Sequence, residues 1–307
     1  MPKAWTVNSL VPDQALSQAA AAILAVKLPE VLSYEEPARK GDIDGIHDMR
    51  VAAKRLREAA RVLKPALPAE ARKRLLKEVE RLNDSLGLVR DRDVIGESFA
   101  AIRKRDPRTT PLDGLCTHLA EERRRYHKDL LAFLDDLHAS GFAEFYARTM
   151  DDMVALSPEG QPTIMAFARE AIEARLTDTE QNWETASRPW NVSEFHRQRI
   201  RVKKLKYAIE PFSTLLPQEL LPIYDQIADL QELMGLVHDC DVQHEVLEQW
   251  VAAHGPAPVY SVAEEHIASR RQRALSQLAA LLEEMVAADW AGRLRALLEG
   301  SRVAVPA

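Results

Sequence analysis

The segment IHDMRVAAKRLREAARVLK, from Ile46 to Lys64, places seven basic side chains, His47 included, in nineteen residues of a 307-residue chain whose formal net charge is −6. His47, Arg50, Lys54, Arg57, Arg61 and Lys64 follow one another at spacings of 3, 4, 3, 4 and 3. On a helix, residues three and four apart share a face, so these cations form one stripe. At 1.5 Å of rise per residue the stripe is roughly 25 Å long. Met49, Ala52, Ala53, Leu56, Ala60 and Leu63 fall on another face and suit a core. The chemistry open to such a stripe is the holding of an extended anion. Solvated helix faces usually alternate in sign, because like charges at i,i+4 cost about 0.2 to 0.5 kcal/mol per pair. A row of one sign calls for compensation by an external anion or by carboxylates of neighbouring helices, and the external anion is the preferred reading.

The same pattern occurs again in FHRQRIRVKKLKYAIEPFSTLLP, Phe195 to Pro217. At an offset of 149 residues, His47 meets His196, Arg50 meets Arg199, Lys54 meets Lys203, Arg55 meets Lys204 and Arg57 meets Lys206. Glu210 stands where Arg61 would be matched, so the second stripe is shorter. Downstream, LNDSLGLVRDRDV falls on LQELMGLVHDCDV, and Arg123 and Arg124 fall on Arg270 and Arg271. Three blocks repeated in order define an internal duplication. Its seam lies near ALSPEGQPT, Ala155 to Thr163, where Pro, Gly and Ser cluster.

Other chemistries have less support in the residues. His47 and His196 each have Arg at i+3 and no carboxylate on the same stripe, which favours anion contact or a helix-start role over a phosphohistidine or zinc site. The pairs Asp91/Asp93 and Asp239/Asp241 admit a metal-bridging reading. Two plainer roles are preferred for them: capping helices that begin after Gly87 and Gly235, or pairing with the basic helix. His127, His138, His238, His244, His254 and His266 form no ligand pattern. No G-x-x-x-x-G-K-[ST], G-x-G-x-x-G or G-x-S-x-G motif occurs. No metal or cofactor is implied.

The elements that must position these residues are helices. The chain is rich in Ala, Leu, Glu and Arg and has only 11 glycines, a composition that favours an all-α fold. Apolar spacing predicts helices near 13–33, 44–64, 69–86, 91–105 and 112–138 in the first unit. It predicts helices near 163–186, 192–215, 218–234, 239–253 and 261–285 in the second. The expected organisation is a short tail over 1–12, a first helical-bundle half over 13–157 and a second over 158–307, related by a pseudo-twofold axis. The apolar run AAAAILAV lacks a basic lead-in and is short for a bilayer, so neither a signal peptide nor a membrane span is expected. Cys116 and Cys240 have no redox or metal spacing, which fits a reducing, cytoplasmic setting.

The blocks HDMRVAAKRLR and HRQRIRVKKLKYAIE, each followed by GLVRDRDV or GLVHDCDV and then by an Arg pair, closely resemble the CHAD family (conserved histidine alpha-helical domain). The resemblance covers nearly the whole chain, from about Asp13 to about Leu298. It implies two four-helix bundles with pseudo-twofold symmetry that bind inorganic polyphosphate where the halves meet, in a stand-alone member of the family. Carried over by motif position, the ligand contacts are His47, Arg50, Lys54, Arg55 and Arg57 in one half and His196, Arg199, Lys203, Lys204 and Lys206 in the other. Arg123, Arg124, Arg270 and Arg271 are additions, and Arg61 is included from the stripe geometry.

Polyphosphate is a flexible polyanion without bases, so its recognition needs no stacking platform. No aromatic residue lies between Arg50 and Arg61, which disfavours single-stranded nucleic acid, where stacking contributes about 1 to 3 kcal/mol per base. Duplex DNA is less expected than polyphosphate, since the acidic remainder of the chain should repel a rigid rod. The expected function is non-catalytic polyphosphate binding in the cytoplasm, including at polyphosphate granules. The alternative is a hydrolase or phosphotransferase acting on polyphosphate or a related phosphoester.

Overall fold

The computed structural model describes residues 4–106, 112–155, 159–181, 183 and 192–300, and these are all-helical, with one isolated β-bridge between Ala15 and Thr163. Three short helices come first: α1 (Leu16–Ala25), α2 (Lys27–Leu32) and α3 (Glu35–Arg39). The basic helix α4 (Ile43–Val62) leads through a 3-10 turn, Lys64–Ala66, into α5 (Ala69–Arg105), which folds back along α6 (Asp113–Ala139). Helices α7 (Phe142–Ala155) and α8 (Ile164–Glu180) precede the second basic helix, α9 (Val192–Ile209). After 3-10 turns at Glu210–Phe212 and Gln218–Leu220 come α10 (Leu221–His254), α11 (Pro258–Ala287) and α12 (Trp290–Gly300).

Local chemistry sets the start of α4. Asp42 caps it, its carboxylate accepting from the Gly45 N–H at 3.1 Å. Gly45 is also a close approach, because a Cβ there would lie 2.6 Å from Pro37 Cβ, so glycine allows α3 to pack directly on α4.

The expected breaks at Gly87 and Gly235 are absent. α5 runs unbroken for 37 residues and α10 for 34. An interior glycine costs a helix only about 1 kcal/mol, and the flanking buried residues Leu82, Leu86 and Val89, or Leu230, Met234 and Val237, hold each helix through it. Asp91 and Asp239 are therefore mid-helix residues and not N-caps. Helices α3, α7 and α12 are further elements that the apolar spacing did not predict.

One large core draws buried residues from both ends of the chain, including Leu24, Ile46, Leu56, Leu86, Leu205, Leu230 and Leu294. α4 packs on α5 and α9 on α10, and the two basic helices pack on each other. A second, smaller core joins the tips of the α5–α6 and α10–α11 hairpins, with Ile95, Phe99 and Leu115 against Cys240, Leu247 and Ile267. The seam is tied to the start of α1: Leu16 N–H donates to Pro162 O at 3.1 Å and Ile164 N–H to Gln14 O at 2.8 Å. The segment Leu16–Arg39 is long and apolar enough by length and composition to cross a membrane, but 61% of that window is buried within the fold, as in a core helix that passes the same test.

Candidate anion-binding cleft

The packing of α4 on α9 brings the two cationic stripes face to face. Lys54 is half-buried there. Burial, reinforced by Arg50, Lys203 and Arg199, pushes its ammonium down to about 7, with Asp91 opposing the shift. Lys203 is lowered by burial and then by Arg57 and Arg199, against Glu58. Arg199 is lowered by burial and by Arg50, against Asp239 and Asp91. Among the described residues, Lys54, Arg199 and Lys203 make no hydrogen bond or ion pair through their side chains, and Arg199 Nε is buried without a partner. Arg50 is half engaged: Nη1 donates to Asp91 Oδ1 at 2.6 Å and to Gly87 O at 3.2 Å, while its buried Nε has no partner.

Other members of the stripes are compensated from within, by carboxylates of neighbouring elements and not by an external anion. Arg57 pairs with Glu58 at 2.9 Å and Glu80 at 3.5 Å. Arg61 pairs with the same two carboxylates, at 3.3 and 2.7 Å. Arg55 points away to Glu30 and Glu210, at 3.3 and 2.5 Å. Lys206 is buried and donates to Gln231 Oε1 at 3.2 Å. Lys204 projects from a different face of α9 than Lys203 and does not line the cleft.

The arginine pairs are bracing groups. Arg123 binds Asp93 and donates to Gly41 O at 2.8 Å, and Arg271 pairs with Asp241 at 2.6 Å. Both pairs join residues 30 apart, which moves the match between halves by one place: Arg123 corresponds to Arg271. Arg270 donates instead to Ser98 Oγ at 2.8 Å and Gln243 Oε1 at 2.7 Å, tying the hairpin tips together. Arg124 is exposed, 3.8 Å from Glu121.

A cleft of about 890 Å³ opens between the halves, with His47, Arg90 and Val94 on one wall and Arg199, Leu233, Gly235 and Asp239 on the other. It adjoins a space of about 280 Å³ lined by Arg50, Asp91, His238 and the shared Val94, Arg199 and Asp239. Burial and then Arg90 lower His47. Burial, Arg199 and His196 lower His238 to about 4, and the His196 and His238 rings lie 5.1 Å apart. Near neutral pH both lowered imidazoles are uncharged hydrogen-bonding groups. Burial raises the Asp239 carboxyl above its usual range. The cleft is thus lined by Arg199, unpaired among the described residues, and by the half-engaged Arg50 beside neutral imidazoles, with the carboxylates Asp229, Glu232 and Asp239 on the same lining. Lys54 and Lys203 lie at the α4–α9 contact and not on its walls. An anion beside Arg199 and Arg50 gains attraction and relieves the repulsion between them.

Arg90 and His238 were not among the residues singled out by spacing. They occupy the same place in GLVRDRDV and GLVHDCDV, and each lies beside the stripe histidine of its own half, so the repeated block carried the signal.

The family model described as CHAD domain matches residues 22–248, and the chain belongs to the CHAD domain family. Its fold is similar to the crystal structure of the CHAD domain from the plant Ricinus communis, with a TM-score of 0.68 and 22% identity over 92% of this chain and 95% of that one. It is also similar to PptA from Streptomyces chartreusis, with a TM-score of 0.59 and 13% identity over 88% of this chain and 98% of that one. No curated protein matches.

Proposed function

We propose that this chain binds inorganic polyphosphate, without chemical conversion, in the cleft where α4 and α9 meet. The observation that carries the reading is the convergence of Lys54, Arg199 and Lys203, which are half-buried and unpaired among the described residues. An isolated buried charge is costly, so a fold that gathers several of one sign is built for a compensating ligand. Membership of the CHAD domain family supports the choice of polyphosphate. The two halves are read as a duplicated pair of four-helix bundles about a pseudo-twofold axis. The matching contacts Asp93–Arg123 and Asp241–Arg271 support that reading, as do the matching pairs His47–Arg90 and His196–His238. Cytoplasmic residence, with recruitment to polyphosphate granules, follows from the same reading.

The test is a titration with long-chain polyphosphate, with duplex DNA as competitor. Replacing Arg50, Lys54, Arg199 and Lys203 together by Ala should abolish binding while the helical circular-dichroism signal persists; undiminished binding at matched salt would place the ligand elsewhere. Incubation with polyphosphate and magnesium should release no phosphate. Steady turnover that is lost on His47→Ala, His196→Ala substitution would replace binding by catalysis.

A further inference from the structure

We infer that the space of about 280 Å³ lined by Arg50 and Arg199 is a subsite for a phosphate group that bears its own hydroxyl, with Asp91 and Asp239 selecting for that hydroxyl. Orthophosphate and the end groups of a polyphosphate chain share this chemistry. Each half of the chain supplies one arginine and one aspartate to the space, and the second half adds His238. The buried Nε atoms of both arginines have no partner. The inference deepens the anion-binding reading of the cleft and rests on it, though not on a long chain as the ligand.

Two carboxylates on the lining of an anion site oppose the ligand unless the ligand can donate to them. Asp91 Oδ1 accepts from Arg50 at 2.6 Å, and Asp239 makes no hydrogen bond or ion pair among the described residues. An ionised carboxylate only accepts hydrogen bonds. Sulfate and the inner residues of polyphosphate have no proton to donate near neutral pH, so they meet Asp91 and Asp239 as like charges. A P–OH group donates to a carboxylate and turns that repulsion into a charge-assisted hydrogen bond. The second proton of a phosphate monoester leaves near about pH 6, and the end group of a chain carries a proton of this kind. Arg50, Arg199 and an imidazole N–H of His238 are donors for the other oxygens. Val94, Ile95 and Val242 complete the apolar part of the lining, where a polar group left unmatched costs more than in water. A site built around a hydrogen-bonded hydroxyl rejects the analogue that lacks it.

The experiment titrates the full chain by calorimetry near neutral pH and at fixed ionic strength. Its probes are orthophosphate, sulfate, and long-chain polyphosphate with its ends either free or capped as phosphoramidates. Sulfate matches orthophosphate in shape and carries at least as much charge, yet orthophosphate is expected to bind at least about tenfold more tightly. Asp239→Asn gives the site an amide donor and should erase most of that ratio by admitting sulfate, and Asp91→Asn should act in the same direction. Weaker binding of the capped chain identifies the chain end as the occupant; capping without effect, while orthophosphate keeps its preference, identifies free orthophosphate. Three results would overturn the inference: no orthophosphate binding, sulfate bound as tightly as orthophosphate, or a ratio unmoved in both asparagine variants with their circular-dichroism signal intact. Tight binding of long-chain polyphosphate beside any of these would leave the proposed function standing. A preference for orthophosphate in a chain that binds no polyphosphate would uphold the subsite and overturn polyphosphate as the ligand.

Discussion

Arg55 Nε lies 2.5 Å from Glu210 Oε1, joining the first basic helix to the turn that follows the second. Both side chains are largely buried, and Arg55 also meets the fully buried Glu30, which pairs with Lys27 at 3.4 Å. Lys27 in turn donates to Trp5 O at 2.7 Å. The acidic residue that interrupts the second stripe is thus the partner of a cation in the first. The asymmetry between the two stripes serves to join the halves.

Removing one member of that network should unfold more than it unbinds. Arg55→Ala leaves the largely buried Glu210 without its cation and Glu30 with Lys27 alone, and is expected to cost about 3 kcal/mol. Urea denaturation checks the loss, and polyphosphate affinity measured well below the melting temperature should change little.

The two bracing pairs should differ in strength. The Asp93 side chain is 1% exposed beside Arg123, whereas Asp241 is 24% exposed beside Arg271. Asp93→Ala is expected to destabilise by about 3 kcal/mol and Asp241→Ala by about 1 kcal/mol, because water screens the second pair. Double-mutant cycles with Arg123→Ala and Arg271→Ala give the two coupling energies.

Binding should be tied to pH through Lys54. Burial and the neighbouring cations hold this group at about 7 in the free chain, and a polyanion bound beside Arg50 and Arg199 raises it, so binding takes up a proton. Affinity should fall as pH rises above about 7, up to the pKa of the bound state, with no contribution from Lys54 well below 7. Calorimetry in buffers of different ionisation enthalpy reads the proton uptake, and Lys54→Arg should flatten the profile. For stability the sign runs the other way. The unfolded chain binds the extra proton between about 7 and the ordinary lysine value, so the Lys54 contribution to stability rises with pH across that window.

Polyphosphate affinity should fall steeply between about 50 and about 200 mM salt, with a log–log slope near −0.7 for each phosphate neutralised. Arg199→Ala and Lys203→Ala should each make the slope shallower by a similar step. Arg61→Ala should leave it nearly unchanged, because Glu58 and Glu80 already compensate that side chain.

Gly235 should accept alanine. A Cβ there meets nothing within 4 Å, and the residue sits inside a continuous helix, so Gly235→Ala is expected to stabilise by about 0.5 to 1 kcal/mol. Because Gly235 lines the cleft, a gain in melting temperature with lost polyphosphate affinity would show that the ligand approaches the backbone there.

The sequence by itself determined the helical class, the basic faces of α4 and α9 and the repetition of the blocks around them, because helical periodicity and composition are local properties. The spacing that places Arg50 and Lys54 on one stripe needs no knowledge of the rest of the chain. Only the tertiary structure decided which cations remain available. Asp91 is 41 residues from Arg50 and Glu80 is 19 from Arg61, and Glu210 reaches Arg55 from the other half. Packing brings these carboxylates to some cations and leaves Lys54, Arg199 and Lys203 without them. It also carried α5 and α10 straight through Gly87 and Gly235, since burial on both sides of each glycine outweighs its small local penalty. Charge periodicity shows where cations can gather, and the burial and pairing imposed by distant helices decide which of them can meet a ligand.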